Sequence, residues 1–237
     1  MRVAFLLVFL AATIFALSDT SDWLGAIYLS FLLVGLPVLA REQLRFAEIS
    51  ILSRKQAYVT SGIAILSIGS LSLVFGLGGE MDQYFYISDW KGQLLASLVL
   101  TVLGLGILLT VLFFRRHFGI KETEITRHLI PITAGDKLLF AVLAVCAGFG
   151  EEIAYRGYAV TALMTSSGSP FVAVILSSAA FGMVHSYQGL LGIFRTGIIG
   201  LMMGFALLYT HSIWPVIIAH VSIDLLVGFV LTEMLAD

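Results

Sequence analysis

Apolar residues are gathered into eight long runs, and short polar segments separate these runs. A run of about 15 to 25 apolar residues is long enough to cross the hydrocarbon core of a bilayer as an α-helix. The pattern therefore predicts an all-α bundle of about eight transmembrane helices. Their approximate bounds are Val3 to Leu17, Trp23 to Ala40, Ala57 to Gly79, Gly92 to Phe114, Leu138 to Leu163, Pro170 to Val184, Thr196 to Tyr209 and Ile213 to Leu231.

The first run is also compatible with a cleaved signal peptide. Arg2 precedes a short apolar core, and small residues follow around Ala16 to Ser18, as in a secretory signal. No clear A-x-A cleavage site follows, so we favour a retained transmembrane helix. Either interpretation leaves the topology of the other seven runs unchanged.

Composition supports a membrane protein. Of the 237 residues, 59% are hydrophobic and only 12% are charged, and the mean hydropathy is +1.01. Ordinary soluble domains carry roughly 25% charged residues. A bilayer solvates long apolar runs directly, so we expect an integral, multi-pass protein with the lipid bilayer as its surroundings. No basic patch suits nucleic acid, which excludes that class of partner.

The distribution of lysine and arginine predicts the orientation in the membrane. Cytoplasmic loops are enriched in these residues. If eight helices alternate, all of these residues outside the predicted spans except Lys91 fall on one side, namely Arg2, Arg41, Arg45, Arg54, Lys55, Arg115, Arg116, Lys121, Arg127, Lys137 and Arg195. Both termini are therefore predicted to be cytoplasmic, in the cell membrane if the source is prokaryotic.

Two of the basic segments are longer than turns. Residues Arg41 to Lys55 intersperse apolar side chains among charges, which indicates an amphipathic helix on the membrane surface. Residues 115–137 form a basic loop in which Asp136 could cap the following helix. This loop separates transmembrane helices 1–4, residues 1–114, from helices 5–8, residues 138–237, within one structural domain.

The ionisable residues deep in the predicted spans all lie in the second half. They are Glu151, Glu152, Arg156, His185, His220 and Asp224. A charge at the centre of a bilayer costs several kcal/mol, so such residues usually face a functional, hydrated site. The three predicted helices that carry them can bring them to a shared depth, which predicts a polar cavity inside the bundle.

Helical spacing separates the two adjacent carboxylates. Glu152 and Arg156 are four residues apart and share a helix face, whereas Glu151 points about 100° away and lacks that partner. We therefore interpret Glu152 and Arg156 as a structural pair and Glu151 as available for chemistry. The same spacing brings Phe181 to His185.

His220 and Asp224 are also one helical turn apart, so the carboxylate can fix the tautomer of the ring. Three carboxylates against one guanidinium leave an excess negative charge. A protonated carboxyl, a protonated histidine or a bound cation must offset it. Five other polar side chains are interpreted as packing or surface residues, namely Tyr155, Tyr158, His117, His128 and His211.

Three ordered motifs resemble those of a known family. The patterns E-E-x-x-x-R in EEIAYR, F-x-x-x-H in FGMVH and H-x-x-x-D in HVSID resemble the CAAX protease and bacteriocin-processing enzyme family of intramembrane glutamic endopeptidases. The resemblance implies that Glu151 and His185 activate water. It also implies that His220 and Asp224 stabilise the oxyanion, with Glu152 and Arg156 in support. The implied substrate is a membrane-associated protein or peptide, possibly lipidated.

Asp224 stands where some members of this family carry asparagine. An ionised aspartate repels an oxyanion, so we expect Asp224 to orient His220 and the ring N–H to be the donor.

Other functions remain open at this stage. A zinc-dependent hydrolase could use His185, His220 and Glu151 as ligands, although the chain contains no H-E-x-x-H motif. The glutamic mechanism needs no cofactor. A transporter or proton relay could use the same buried carboxyls, but we find no inverted repeat. A non-catalytic scaffold is the fourth possibility.

Overall fold

Helices account for the whole architecture of the described residues. The structure is a computed structural model, and it describes residues 23–46, 53–87 and 89–230. The all-α prediction is confirmed. The run predicted as the first span, Val3 to Leu17, lies outside these residues. The long helices are α1 (23–46), α2 (Arg54–Gly76), α3 (Trp90–His117), α4 (134–167), α5 (Pro170–Val184), α6 (Gly189–Thr210) and α7 (Trp214–Phe229).

Five helical stretches of the described chain are long and apolar enough to cross a membrane, which makes the protein an integral, multi-pass one. They are Trp23–Glu42, Arg54–Gly76, Trp90–His117, Ala134–Ser167 and Pro170–Thr210. The prediction of eight spans is wrong for this part of the chain. It treated each apolar run as one complete span, but α5 has only 15 residues and α7 only 16, and α5 joins α6 through a single turn.

Helices α5 and α6 form an antiparallel hairpin. A 3₁₀ turn, His185–Gln188, connects them. A Cβ added to Gly182 would lie 2.7 Å from the carbonyl oxygen of Ile193, and one added to Gly204 would lie 2.7 Å from the Val174 side chain. Contacts therefore run in opposite directions along the two helices, and the turn that carries His185 is at the tip of the hairpin.

A π-helical segment interrupts α4 just after the two glutamates. It spans Ile153–Ala159. The N–H of Val160 donates to the carbonyl of Tyr155, and the same carbonyl accepts a bond from Ser177 Oγ at 2.8 Å. The hydroxyls of Tyr155 and Tyr158 donate to carbonyls of α1, at 3.3 and 2.7 Å. Both tyrosines thus pack α1 onto α4.

Two glycines just before Glu151 bring two neighbouring helices close to α4. A Cβ on Gly150 would lie 2.6 Å from the backbone oxygen of Ile65 in α2, and a Cβ on Gly148 would clash with Val221 of α7. Small residues permit such close packing of membrane helices. The GFG stretch therefore determines how near α2 and α7 approach the glutamates.

The two basic segments contain parts of several elements. Residues up to Phe46 continue α1, and α2 begins at Arg54. Because residues 47–52 lie outside the described part, the predicted surface helix is untested. In the segment 115–137, α3 extends to His117, a short helical turn spans Glu124–His128, and Thr133 rather than Asp136 is the N-cap of α4. Asp136 completes a capping box with Thr133.

We predict that Gly150→Ala destabilises the folded protein by about 1–3 kcal/mol, because the added methyl group meets backbone atoms that cannot move aside. Thermal unfolding in detergent would measure the change. Gly106→Ala is the matched control, since Gly106 lies in helix α3 with nothing within 4 Å of the added Cβ. Equal midpoints for the two variants would contradict the close-packing interpretation.

Candidate functional site

The structure brings the predicted site residues together from three helices. Helix α4 carries Glu151, Glu152 and Arg156, and α7 carries His220 and Asp224. Phe181 lies in the last turn of α5, and His185 follows as its C-cap. The side chains of α5 and α7 meet those of α4 at the start of its π-helical segment.

A single carboxylate oxygen holds two of these helices together. Glu152 Oε1 accepts hydrogen bonds from Arg156 Nη1 at 3.0 Å and from His220 Nδ1 at 2.6 Å. Glu152 and Arg156 are 0% and 1% exposed. The i to i+4 pair expected from the sequence is therefore formed, and it also anchors a histidine of α7.

Arg156 connects this pair to α5. Its guanidinium lies over the ring of Phe181, 4.1 Å from the centroid, which is a favourable cation–π arrangement. The Phe181 carbonyl accepts a bond from His185 Nδ1 at 2.8 Å, and the two rings are 4.8 Å apart, edge to face. Phe181 thus supports both the guanidinium and the imidazole.

The two imidazoles direct the same ring atom toward Glu151. A carbonyl oxygen cannot donate, so Nδ1 of His185 carries a proton, and the Nδ1 of His220 donates to Glu152. Their Nε2 atoms lie 4.0 and 3.8 Å from Glu151 Oε2. These distances are too long for a direct hydrogen bond. Within the described residues, this buried oxygen has no hydrogen-bond partner.

The structure differs from the sequence-based expectation for Asp224. We expected this carboxylate to fix the tautomer of His220 from one turn away. Glu152 of α4 does so instead, because it binds Nδ1 at 2.6 Å, while Asp224 Oδ2 lies 3.6 Å from Nε2. Asp224 therefore faces the nitrogen that points toward Glu151.

The site gains no support as a metal centre from its geometry. In the part of the chain that the structure describes, no group of three or more His, Cys, Asp or Glu side chains is arranged to hold a metal ion. The three other histidines do not belong to this cluster. His117 and His211 are exposed and His128 is partly buried.

The polar cavity predicted around Glu151 is not confirmed by the described residues. Between α4, α5 and α7 lie the Glu152–Arg156 pair and the edge-to-face rings of Phe181 and His185. A cavity of about 310 Å³ does exist next to the site. It is bounded by the end of α3, residues 120–123 and the start of α6.

The sequence analysis missed three polar residues around the His185 turn. Arg195 Nη2 donates to Gln188 Oε1, and Gln188 Nε2 donates to the hydroxyl of Tyr187 at 3.0 Å. The Tyr187 carbonyl accepts a bond from Thr123 Oγ1 at 2.7 Å. Only their nearness to His185 in the sequence could have indicated them, because Thr123 belongs to the loop after α3 and Arg195 to the next helix.

One family model matches the part of the chain that holds this cluster. Residues 133–226 match the family described as type II CAAX prenyl endopeptidase Rce1-like. This segment of the chain is therefore similar to that family. It begins at the N-cap of α4 and contains every motif residue discussed above. The matched family is one of prenyl endopeptidases. No curated protein and no solved structure matches the chain.

We predict that Glu152→Ala lowers stability by about 3–5 kcal/mol, because it leaves the Arg156 charge buried and uncompensated. Thermal unfolding of purified protein in detergent would measure the loss. The double variant Glu152→Ala, Arg156→Met should recover much of it, since the isolated charge is removed. A double variant no more stable than Glu152→Ala would refute the charge argument.

Proposed function

We propose that the protein is an intramembrane glutamic endopeptidase that hydrolyses a peptide bond of a membrane-associated protein or peptide, possibly lipidated. In this proposal Glu151 and His185 activate water, and His220 stabilises the oxyanion. Glu152, Arg156 and Phe181 position the two imidazoles. The catalytic unit in this proposal is segment 138–237, with the basic loops and both termini cytoplasmic.

The relation of Glu151 to the two imidazoles carries the proposal. Its Oε2 atom is buried without a hydrogen-bond partner among the described residues, and two Nε2 atoms lie 3.8 and 4.0 Å away. A water molecule bridges polar atoms at such separations, because each of its own hydrogen bonds is about 2.8 Å long. Glu151 Oε2 and the two Nε2 atoms are therefore placed so that each can form a hydrogen bond with the same water molecule.

The proposed reaction uses the bound water as nucleophile. Glu151 takes one proton from the water while the water oxygen forms a bond to the carbonyl carbon of the substrate. His185 Nε2 accepts a second hydrogen bond from the water, which aligns the attacking lone pair. When the tetrahedral intermediate collapses, the C–N bond breaks, and Glu151 returns its proton to the leaving amine.

The other imidazole is suited to the developing negative charge. His220 Nδ1 is bound by Glu152, so Nε2 is the atom left to face the substrate. Donation from Nε2 requires a second proton on the ring, and the carboxylates of Glu152 and Asp224, at 2.6 and 3.6 Å, offset the charge of that imidazolium. Asp224 thereby contributes through His220 rather than by contacting the oxyanion.

We predict that Glu151→Gln and His185→Ala each slow cleavage at least about 100-fold, because each removes a group that aligns or deprotonates water. The membrane peptidome of cells expressing the wild type would be compared with that of cells expressing Glu151→Gln. His117→Ala is the control, since His117 is exposed near the end of α3. Unchanged peptide products in the Glu151→Gln cells would remove the proposal.

Metal chelation separates this mechanism from the zinc alternative. A zinc enzyme needs about three protein ligands on its ion, and the described side chains supply no such group. We therefore expect the cleavage rate in detergent to be unaffected by a strong chelator. Inhibition that added zinc reverses would favour the metallopeptidase instead.

A further inference from the structure

The cavity next to the site has a basic lining. It lies between the C-terminal end of α3 and the N-terminal end of α6, and its volume is about 310 Å³. Its charged lining residues are Arg115, Lys121, Glu122 and Arg195. Three cations against one carboxylate leave this cavity with a net positive charge.

Two of the cations form no ion pair with a carboxylate among the described residues. Arg115 Nη1 pairs with Glu122 Oε1 at 3.0 Å, and both side chains are buried. Arg195 donates to the neutral amide of Gln188. Among the described residues, neither Arg195 nor the exposed Lys121 forms an ion pair. The excess charge is therefore available to an anionic ligand.

The start of α6 adds to this positive potential. Residues 189–192 line the cavity, and they form the first turn of a helix of 22 residues. Their N–H groups lie at the positive end of the helix dipole. The preceding residue, Gln188, makes no side-chain capping bond to them, because its amide is engaged by Arg195 and Tyr187.

The cavity opens beside an apolar surface. Ile120, Leu190 and Phe194 are 47%, 68% and 59% exposed, and two of them line the cavity. In a membrane-spanning chain such side chains contact lipid. The lysine and arginine distribution predicts that this end of the bundle is at the cytoplasmic surface, at the depth of phospholipid headgroups.

We propose that this cavity binds the phosphate of an anionic phospholipid. Arg195, Lys121 and the first turn of α6 would hold the phosphate, and the acyl chains would follow Leu190 and Phe194. The volume is at the lower end of the range of about 300–1,000 Å³ found for ligand pockets. It suits a headgroup whose chains stay in the bilayer. Basic pockets between membrane helices bind anionic lipids in this way.

Lipid binding would also stabilise the turn that carries His185. Gln188 belongs to that turn and is bonded to Arg195, while Thr123, another lining residue, holds the carbonyl of Tyr187. A bound phosphate therefore fixes both sides of the turn. The binding itself needs no peptidase activity, so its test is independent of the proposed function.

Native mass spectrometry tests the proposal directly. The full chain would be released from nanodiscs containing equal amounts of phosphatidylglycerol and phosphatidylcholine, and retained lipids would be counted. We expect preferential retention of phosphatidylglycerol by the wild type. Arg195→Gln and Lys121→Gln should each weaken retention roughly fivefold, which is the effect of one basic residue near an anionic membrane surface. Arg195→Lys keeps the charge and should retain the lipid.

Controls separate a specific site from general charge attraction. Arg116→Gln removes a neighbouring basic residue that does not line the cavity, so phosphatidylglycerol retention should be unchanged. Equal retention of both lipids, or an equal loss in Arg116→Gln and Arg195→Gln, would overturn the proposal. Thermal unfolding would verify that each variant is folded. If Arg195→Gln unfolds, the exposed Lys121→Gln still decides the question.

Two further probes test whether the cavity binds a soluble anion or a peptide instead of a lipid. Inorganic phosphate at millimolar concentration should not displace the lipid, since it lacks the apolar contacts. A short peptide with a free C-terminal carboxylate should also fail to displace it. Displacement by phosphate would indicate a soluble-anion site, and displacement by the peptide but not by its C-terminal amide would indicate a peptide site. Either result would overturn the lipid assignment.

Discussion

The arrangement of the site depends on one buried carboxylate oxygen. Glu152 Oε1 accepts bonds from a guanidinium on its own helix and from an imidazole on α7. Burying an isolated charge in a low-dielectric interior costs several kcal/mol, and a partner of opposite charge with good geometry offsets that cost. Arg156 therefore stays buried here because Glu152 lies beside it. The pair orients His220 directly, and the guanidinium packs on Phe181, whose carbonyl binds His185.

The same pair explains why two glutamates are adjacent. Neighbouring residues on a helix point about 100° apart, so a single stretch of α4 can present one carboxylate to Arg156 and the other to the imidazoles. Glycines at 148 and 150 let α7 and α2 approach this stretch closely. The π-helical segment that follows turns the Tyr155 carbonyl toward Ser177 of α5, and π segments often mark functional positions in helices. The close helix packing and the two carboxylates therefore depend on the same stretch of α4, residues 148–159.

Some of this architecture could be predicted from the sequence and some could not. Apolar runs indicated the helices and the membrane, because lipid requires long uncharged segments. The apolar runs could not indicate how many separate helices cross the bilayer, since a single turn joins the short helix α5 to α6. Spacing of four residues predicted the Glu152–Arg156 contact and the Phe181–His185 contact.

Such spacing rules do not predict contacts between different helices. The bond from His220 to Glu152 links residues 68 positions apart, and Asp224 looked like the better partner only because it is local. The hydrogen bonds around Tyr187 and Gln188 depend on where the loop after α3 lies. That position follows from tertiary packing.

The shortness of α5 and α7 has a consequence for the surrounding lipid. Their 15 and 16 residues extend about 22–24 Å, whereas the hydrocarbon core of a typical bilayer is about 30 Å thick. Where helices this short face lipid, the expected response of the bilayer is local thinning, which would shorten the distance from bulk solvent to Glu151 on the side of the two imidazoles.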